Sequence, residues 1–134
     1  MRVRCISTNI LNPSKNLDKC GWRRAENYLT IGKEYEVYAV YSSYYFSGGD
    51  AYLVCDDNYN DSNYYWPLYI PACFFEIINN DKPPFWMISP DNPRYCGPAE
   101  IGPEYYENLV NGDVAALAAF RRIRQYLNDK DCIP

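Results

Sequence analysis

A chain of 134 residues with a formal charge of −4 is one ordinary domain, or one small domain with an appendage, and its negative balance repels phosphate backbones. Fifteen tyrosines in a composition that is 48% hydrophobic argue for a sheet with a wet aromatic face over a tight helical bundle. The absence of histidine removes Ser-His and Cys-His nucleophile pairs, the commonest general base and most zinc and iron sites.

In chain order, "VRCIS" at 3–7 predicts a first strand by its β-branched content. Residues 9–28 carry turn formers and charges without a period and predict a long loop. In "LTIGKEYEVYAV" at 29–40, Gly32 and Lys33 turn the chain into a strand. Tyr35, Val37, Ala39 and Tyr41 fall on one face of that strand, with Glu34 and Glu36 on the other. "SGGD" at 47–50 predicts a hairpin turn, and "AYLVCDD" at 51–57 a strand apolar on both faces at its centre. "NYNDSN" at 58–63 is a second polar turn, and "YYWPLYI" at 64–70 a third strand with an edge or bulge at Pro67. "PACFFEII" at 71–78 predicts a 3₁₀ turn followed by a last short strand.

Between positions 79 and 103, six of the ten prolines exclude both a long helix and a central strand and predict a wrap, anchored by Trp86, Met87 and Ile88. Pro103 opens a short helix over 103–111 that Gly112 stops. Asp113 then caps a longer helix whose apolar stripe is Ala116, Phe120, Ile123 and Leu127. Arg121, Arg122 and Arg124 lie mostly off the stripe, as a solvated basic face near the helix C-terminus.

Little here is equipped for chemistry. Six cysteines allow 15 disulfide pairings, but without close-spaced pairs they are expected to be thiols. Asp56, Asn58 and Asn60 have calcium-loop spacing, yet Asp61 stands where that loop's glycine belongs and Pro67 where its glutamate belongs. A solvated hairpin turn is the better reading, and no cofactor is expected. What remains is surface. Tyr44, Tyr45, Tyr64, Tyr65 and Trp66 cluster around two hairpins with Asp56, Asp57 and Asp61 among them, a composition suited to gripping a protein partner. Alternation along the strands sends some of these rings into the core. No secretory signal follows the basic N-terminus and no run approaches the roughly 20 apolar residues of a membrane span, so the expected location is the cytoplasm.

Over residues 29–79 the chain resembles small bacterial SH3-like barrel proteins. Leu29, Gly32, Lys33, Tyr35 and Val37 match an L-x-x-G-K-x-Y-x-V opening, and Tyr52, Asp56 and Asp57 match a Y-x-x-x-D-D strand. Pro71, Ala72, Phe75, Glu76 and Ile77 match a closing P-A-x-x-F-E-I turn, with Ile70 where tyrosine is usual. The resemblance implies an α+β chain, mainly β: an SH3-like barrel at 1–88, then a Pro-rich wrap and two packed helices at 89–134. The A-L-Y-D-Y element with which eukaryotic SH3 domains bind Pro-rich peptides is absent, so that activity is not carried over. Some small acidic barrels of this kind are immunity proteins, and the expectation is a non-enzymatic protein that neutralises a cognate basic toxin domain by binding it. The alternatives are a peptide- or protein-binding adaptor and, against the charge, an RNA-binding small barrel that stacks bases on tyrosine.

Overall fold

The computed structural model describes residues 1–9, 24–44, 49–60 and 64–132. The chain is α+β, with two antiparallel sheets and two C-terminal helices. The first strand, β1 (Arg2–Cys5), buries Val3 and Cys5 and turns Arg2 and Arg4 outward, as period-two alternation requires. It lies between β2 (Glu34–Glu36) and the later strand β6 (Phe75–Asn79), with Val3 opposite both Tyr35 and Ile77. On the outer face Arg4 reaches Glu34 at 3.8 Å and Glu76 at 3.2 Å, which places opposite charges on three adjacent strands. Exposed pairs of this kind contribute little energy, but they favour this register over its neighbours.

The stretch 34–41, expected as one strand, is bent between two. Val37 N–H donates to the Met1 carbonyl at 2.9 Å, and the next residue, Tyr38, donates to the Leu53 carbonyl at 2.8 Å. Adjacent residues thus hydrogen-bond to different sheets, and both are buried, which breaks the expected alternation. After the bend, β3 (Ala39–Tyr44) joins a five-stranded sheet whose order is β5 (Leu68–Pro71), β4 (Gly49–Val54), β3, β8 (Tyr95–Gly97) and β7 (Met87–Ile88). The turn placed at 47–50 lies largely outside the described residues, and of the polar turn at 58–63 only 58–60 is described. The third strand is shorter than expected, because residues 64–67 are not part of it. The 3₁₀ turn falls at Ala72–Phe74 and leads into β6, as the proline-started pattern indicates.

The Pro-rich stretch contributes more than a wrap. It adds β7 (Met87–Ile88) and β8 (Tyr95–Gly97) to the larger sheet, with β8 between β3 and β7. Prolines 93 and 98 flank β8 without entering it, so its ladder donors survive and a short interior strand forms despite the composition. Of the three expected anchors only Trp86 packs on the core; Met87 and Ile88 are exposed.

Two cores share the five-stranded sheet. Tyr52, Val54 and Ile70 face the smaller sheet, packing with Val3, Tyr35, Val37, Phe74 and Phe75. Their neighbours Ala51, Leu53 and Tyr69 face the helices. This is why "AYLV" is apolar on both faces: β4 is the middle layer. Among the described residues the ladders form two separate sheets rather than a closed ring.

Helix α1 (Pro103–Val110) ends at Gly112, whose φ of +81° closes the turn, and α2 (Val114–Cys132) follows. Asp113 caps α2 by accepting from Ala116 N–H at 3.0 Å. Ala116, Phe120, Ile123 and Leu127 are all buried, and Phe120 meets Tyr38 edge-on at 5.1 Å. The basic face differs from expectation, because α2 continues to Cys132 and the arginines are mid-helix. Arg121 and Arg122 are exposed, whereas Arg124 is half-buried with its guanidinium 4.5 Å from the centre of the Tyr59 ring. No helix among the described residues is long and apolar enough to cross a membrane.

Candidate binding cleft

The matching residues of the glycine-lysine opening and the Asp-Asp strand meet in space. Asp57 Oδ1 accepts from Lys33 Nζ and from Tyr35 Oη, each at 2.8 Å, and Oδ2 accepts from Thr30 Oγ1 at 2.6 Å. Tyr35 Oη in turn accepts from the Thr30 N–H at 2.9 Å. Gly32, at a φ of +88°, makes the turn that brings Thr30 and Lys33 to the same carboxylate. Burial alone would raise the Asp57 carboxyl, but the bonds from Lys33, Thr30 and Tyr35 outweigh it and hold the group below its ordinary value. Asp57 therefore latches the 27–35 segment onto the β4–β5 connection. Asp57 N–H to the Tyr28 carbonyl, at 2.8 Å, and Asn58 Nδ2 to the Asn27 carbonyl, at 2.8 Å, complete the seam.

Asp56 is different. It is 8% exposed, and its Oδ2 accepts long bonds from Asn58, at 3.4 Å from N–H and 3.3 Å from Nδ2, with a further bond to the carboxylate from its own backbone N–H. Burial pushes its carboxyl upward, and the neighbouring charge of Asp57 adds to that, against the lowering by Asn58. No lysine or arginine among the described residues forms an ion pair with it.

The aromatic run 64–67 divides between two jobs. Tyr65 turns to the helices, where a Cβ built on Gly112 would stand 2.7 Å from its hydroxyl. Pro67 offers its carbonyl to Tyr106 Oη of α1 at 2.8 Å. Trp66 packs at the margin of the helix-side core, edge-on to Tyr65 at 5.1 Å. Tyr64 remains 56% exposed, its ring 6.0 Å from Trp66.

Between the seam and this run lies a cleft of about 420 Å³. Tyr28, Tyr64, Trp66 and Leu68 form its apolar walls, and Asn27, Asn58 and Asp56 supply the polar groups. The structure thus brings together three of the expected contact residues, Asp56, Tyr64 and Trp66. It places Asp57 in the latch beside them and Tyr65 on the helix side. Tyr45, Asp61 and the side chain of Tyr44 lie outside the described residues. Sequence reading missed Asn27 and Tyr28, which sat at the end of an unpatterned loop. Their one signal is position, directly before the Leu29–Val37 element and so tied to whatever it pairs with.

The cleft combines apolar walls, a few convergent polar groups and one perturbed carboxyl, the features of a functional pocket. Among the described residues no cluster of acids and cysteines is arranged to hold a metal ion. In comparisons with known proteins, no family model, no curated protein and no solved structure matches this chain.

Proposed function

We propose that this is a non-enzymatic, protein-binding protein of the cytoplasm, and most concretely an immunity protein that neutralises a cognate basic toxin domain by direct contact. The observation that carries the reading is the cleft. It presents exposed aromatic surface beside a buried carboxylate that pairs with no cation among the described residues, on a chain of net charge −4. Such a surface attracts a basic partner over distance and grips it at contact. We read the framework as SH3-like. Supporting this are the bent strand shared by two sheets, the order β2-β1-β6 in the smaller sheet, and the 3₁₀ turn between β5 and β6. The lack of histidine and the thiol state of the four described cysteines fit a protein that acts by binding in a reducing compartment.

The test is affinity capture on the immobilised full-length chain from its native host, followed by binding kinetics and a toxicity assay with the captured domain. A basic domain whose activity is lost on stoichiometric addition of this protein is the expected result. Recovery of nucleic acid or Pro-rich peptides alone, with no basic protein, would sink the immunity reading and favour the RNA-binding or adaptor alternative.

A further inference from the structure

We propose that the cleft receives one arginine side chain of the protein partner, with Asp56 as its counter-charge and the rings of Tyr28, Tyr64 and Trp66 as its walls. This rests on the protein-binding reading and names the chemistry by which that partner is held.

Charge complementarity selects a cation. Among the described residues no basic side chain lines the cleft, and Lys33, on the neighbouring turn, is already committed to Asp57 at 2.8 Å. Asp56 sits 8% exposed with long hydrogen bonds from Asn58 and one from its own backbone N–H, an arrangement that costs the isolated protein stability and that an incoming cation would relieve. The rest of the site distinguishes among cations. A divalent metal needs several oxygen ligands, and among the described residues the cleft offers one carboxylate. A compact, strongly hydrated ammonium gains less from aromatic walls than a planar, weakly hydrated guanidinium, which stacks on rings while its fork donates to oxygens in its plane. Asn58 spends its Nδ2 on Asn27 and Asp56, which leaves its amide oxygen as a second acceptor beside the carboxylate. At about 420 Å³ the cleft accommodates one long side chain with part of its backbone.

The test titrates the full-length protein with N-acetyl-arginine methylamide, following the Trp66 indole and Asn58 side-chain amide signals by NMR. N-acetyl-citrulline methylamide, neutral and nearly isosteric, and tetramethylammonium, cationic without donors, serve as comparison probes. Saturable shifts with the arginine probe, about tenfold weaker or lost with either comparison probe, are expected. Asp56→Asn, and independently the exposed Tyr64→Ala, should each weaken the arginine probe by a comparable factor, while Glu104→Gln on α1 leaves it unchanged. Equal binding of citrulline, tighter binding of tetramethylammonium, or no shifts from the arginine probe in the wild-type protein would overturn the proposal. With a captured toxin domain in hand, unchanged affinity of both cleft variants would overturn the arginine assignment and leave the protein-binding reading standing. Specific binding of the arginine probe without any protein partner would do the reverse.

Discussion

Tyr35 and Asp57, 22 positions apart, are joined by a hydrogen bond of 2.8 Å from the phenol to Oδ1, and Lys33 donates to the same oxygen at 2.8 Å. Four residues of the glycine-lysine and Asp-Asp patterns, Gly32, Lys33, Tyr35 and Asp57, thus form one latch. It fixes one wall of the cleft. Asp57→Ala is expected to cost about 2 kcal/mol, the order found for hydrogen bonds to a charged group, and to lower the affinity of the arginine probe by loosening Asn27 and Tyr28. Urea denaturation and the NMR titration measure the two effects separately.

The adjacent carboxylates should give opposite pH dependences. Asp57's folded value lies below its ordinary value of 3.8, so its stabilisation is complete above 3.8 and is lost as pH falls through the folded value. Asp56's folded value lies above 3.8, so the native state takes up that proton first, and this site alone makes stability rise as pH falls from the folded value toward 3.8. Asp57→Asn should therefore flatten the acid limb of the stability profile. Asp56→Asn should remove an opposing slope just above it. Urea melts at intervals between about pH 3 and 7 would resolve the two.

Phe120 is fully buried against Tyr38 and Tyr59, and Phe120→Ala should cost about 3–5 kcal/mol. Removing residues 113–134 uncovers Ala51, Leu53 and Tyr69 on the larger sheet and should cause aggregation. An unchanged melting temperature in the truncated chain would contradict a docked helix.

Gly112 carries two constraints at once, a φ of +81° and the Tyr65 hydroxyl 2.7 Å from any Cβ. Gly112→Ala should cost about 1–2 kcal/mol from the backbone conformation, plus a steric share that Tyr65→Phe relieves. A double-mutant cycle by thermal unfolding should show the second change offsetting part of the first, and strictly additive losses would separate the two residues.

Of the described cysteines, Cys5 is buried, and burial pushes its thiol upward, whereas Cys73 is exposed. Cys73 should label first with a thiol reagent under native conditions and Cys5 only on unfolding. All six cysteines should titrate as thiols in denaturant without reductant. Fewer than six would overturn the reducing-compartment expectation.

Local rules determined much of this protein by themselves. The Gly112 stop, the Asp113 cap, the Ala116–Leu127 stripe and the 3₁₀ turn before β6 depend on residues within a few positions of one another, so they are legible without a fold. The composition of the binding region, aromatic and acidic around 56–66, was equally plain. The tertiary structure alone decided what each residue there does. Asp56 and Asp57 are neighbours of one chemical type, yet one is latched by a lysine brought from 24 positions away and the other is buried without an ion pair among the described residues. The bend at Val37–Tyr38 was hidden because it arises from carbonyls at Met1 and Leu53, on two different sheets. Tyr65 and Tyr64 part company because Gly112, far along the chain, opens room for one ring only. A residue's type and its local spacing set what it is able to contact, but distant chain segments decide which contact it makes, and the cleft is built from such long-range choices.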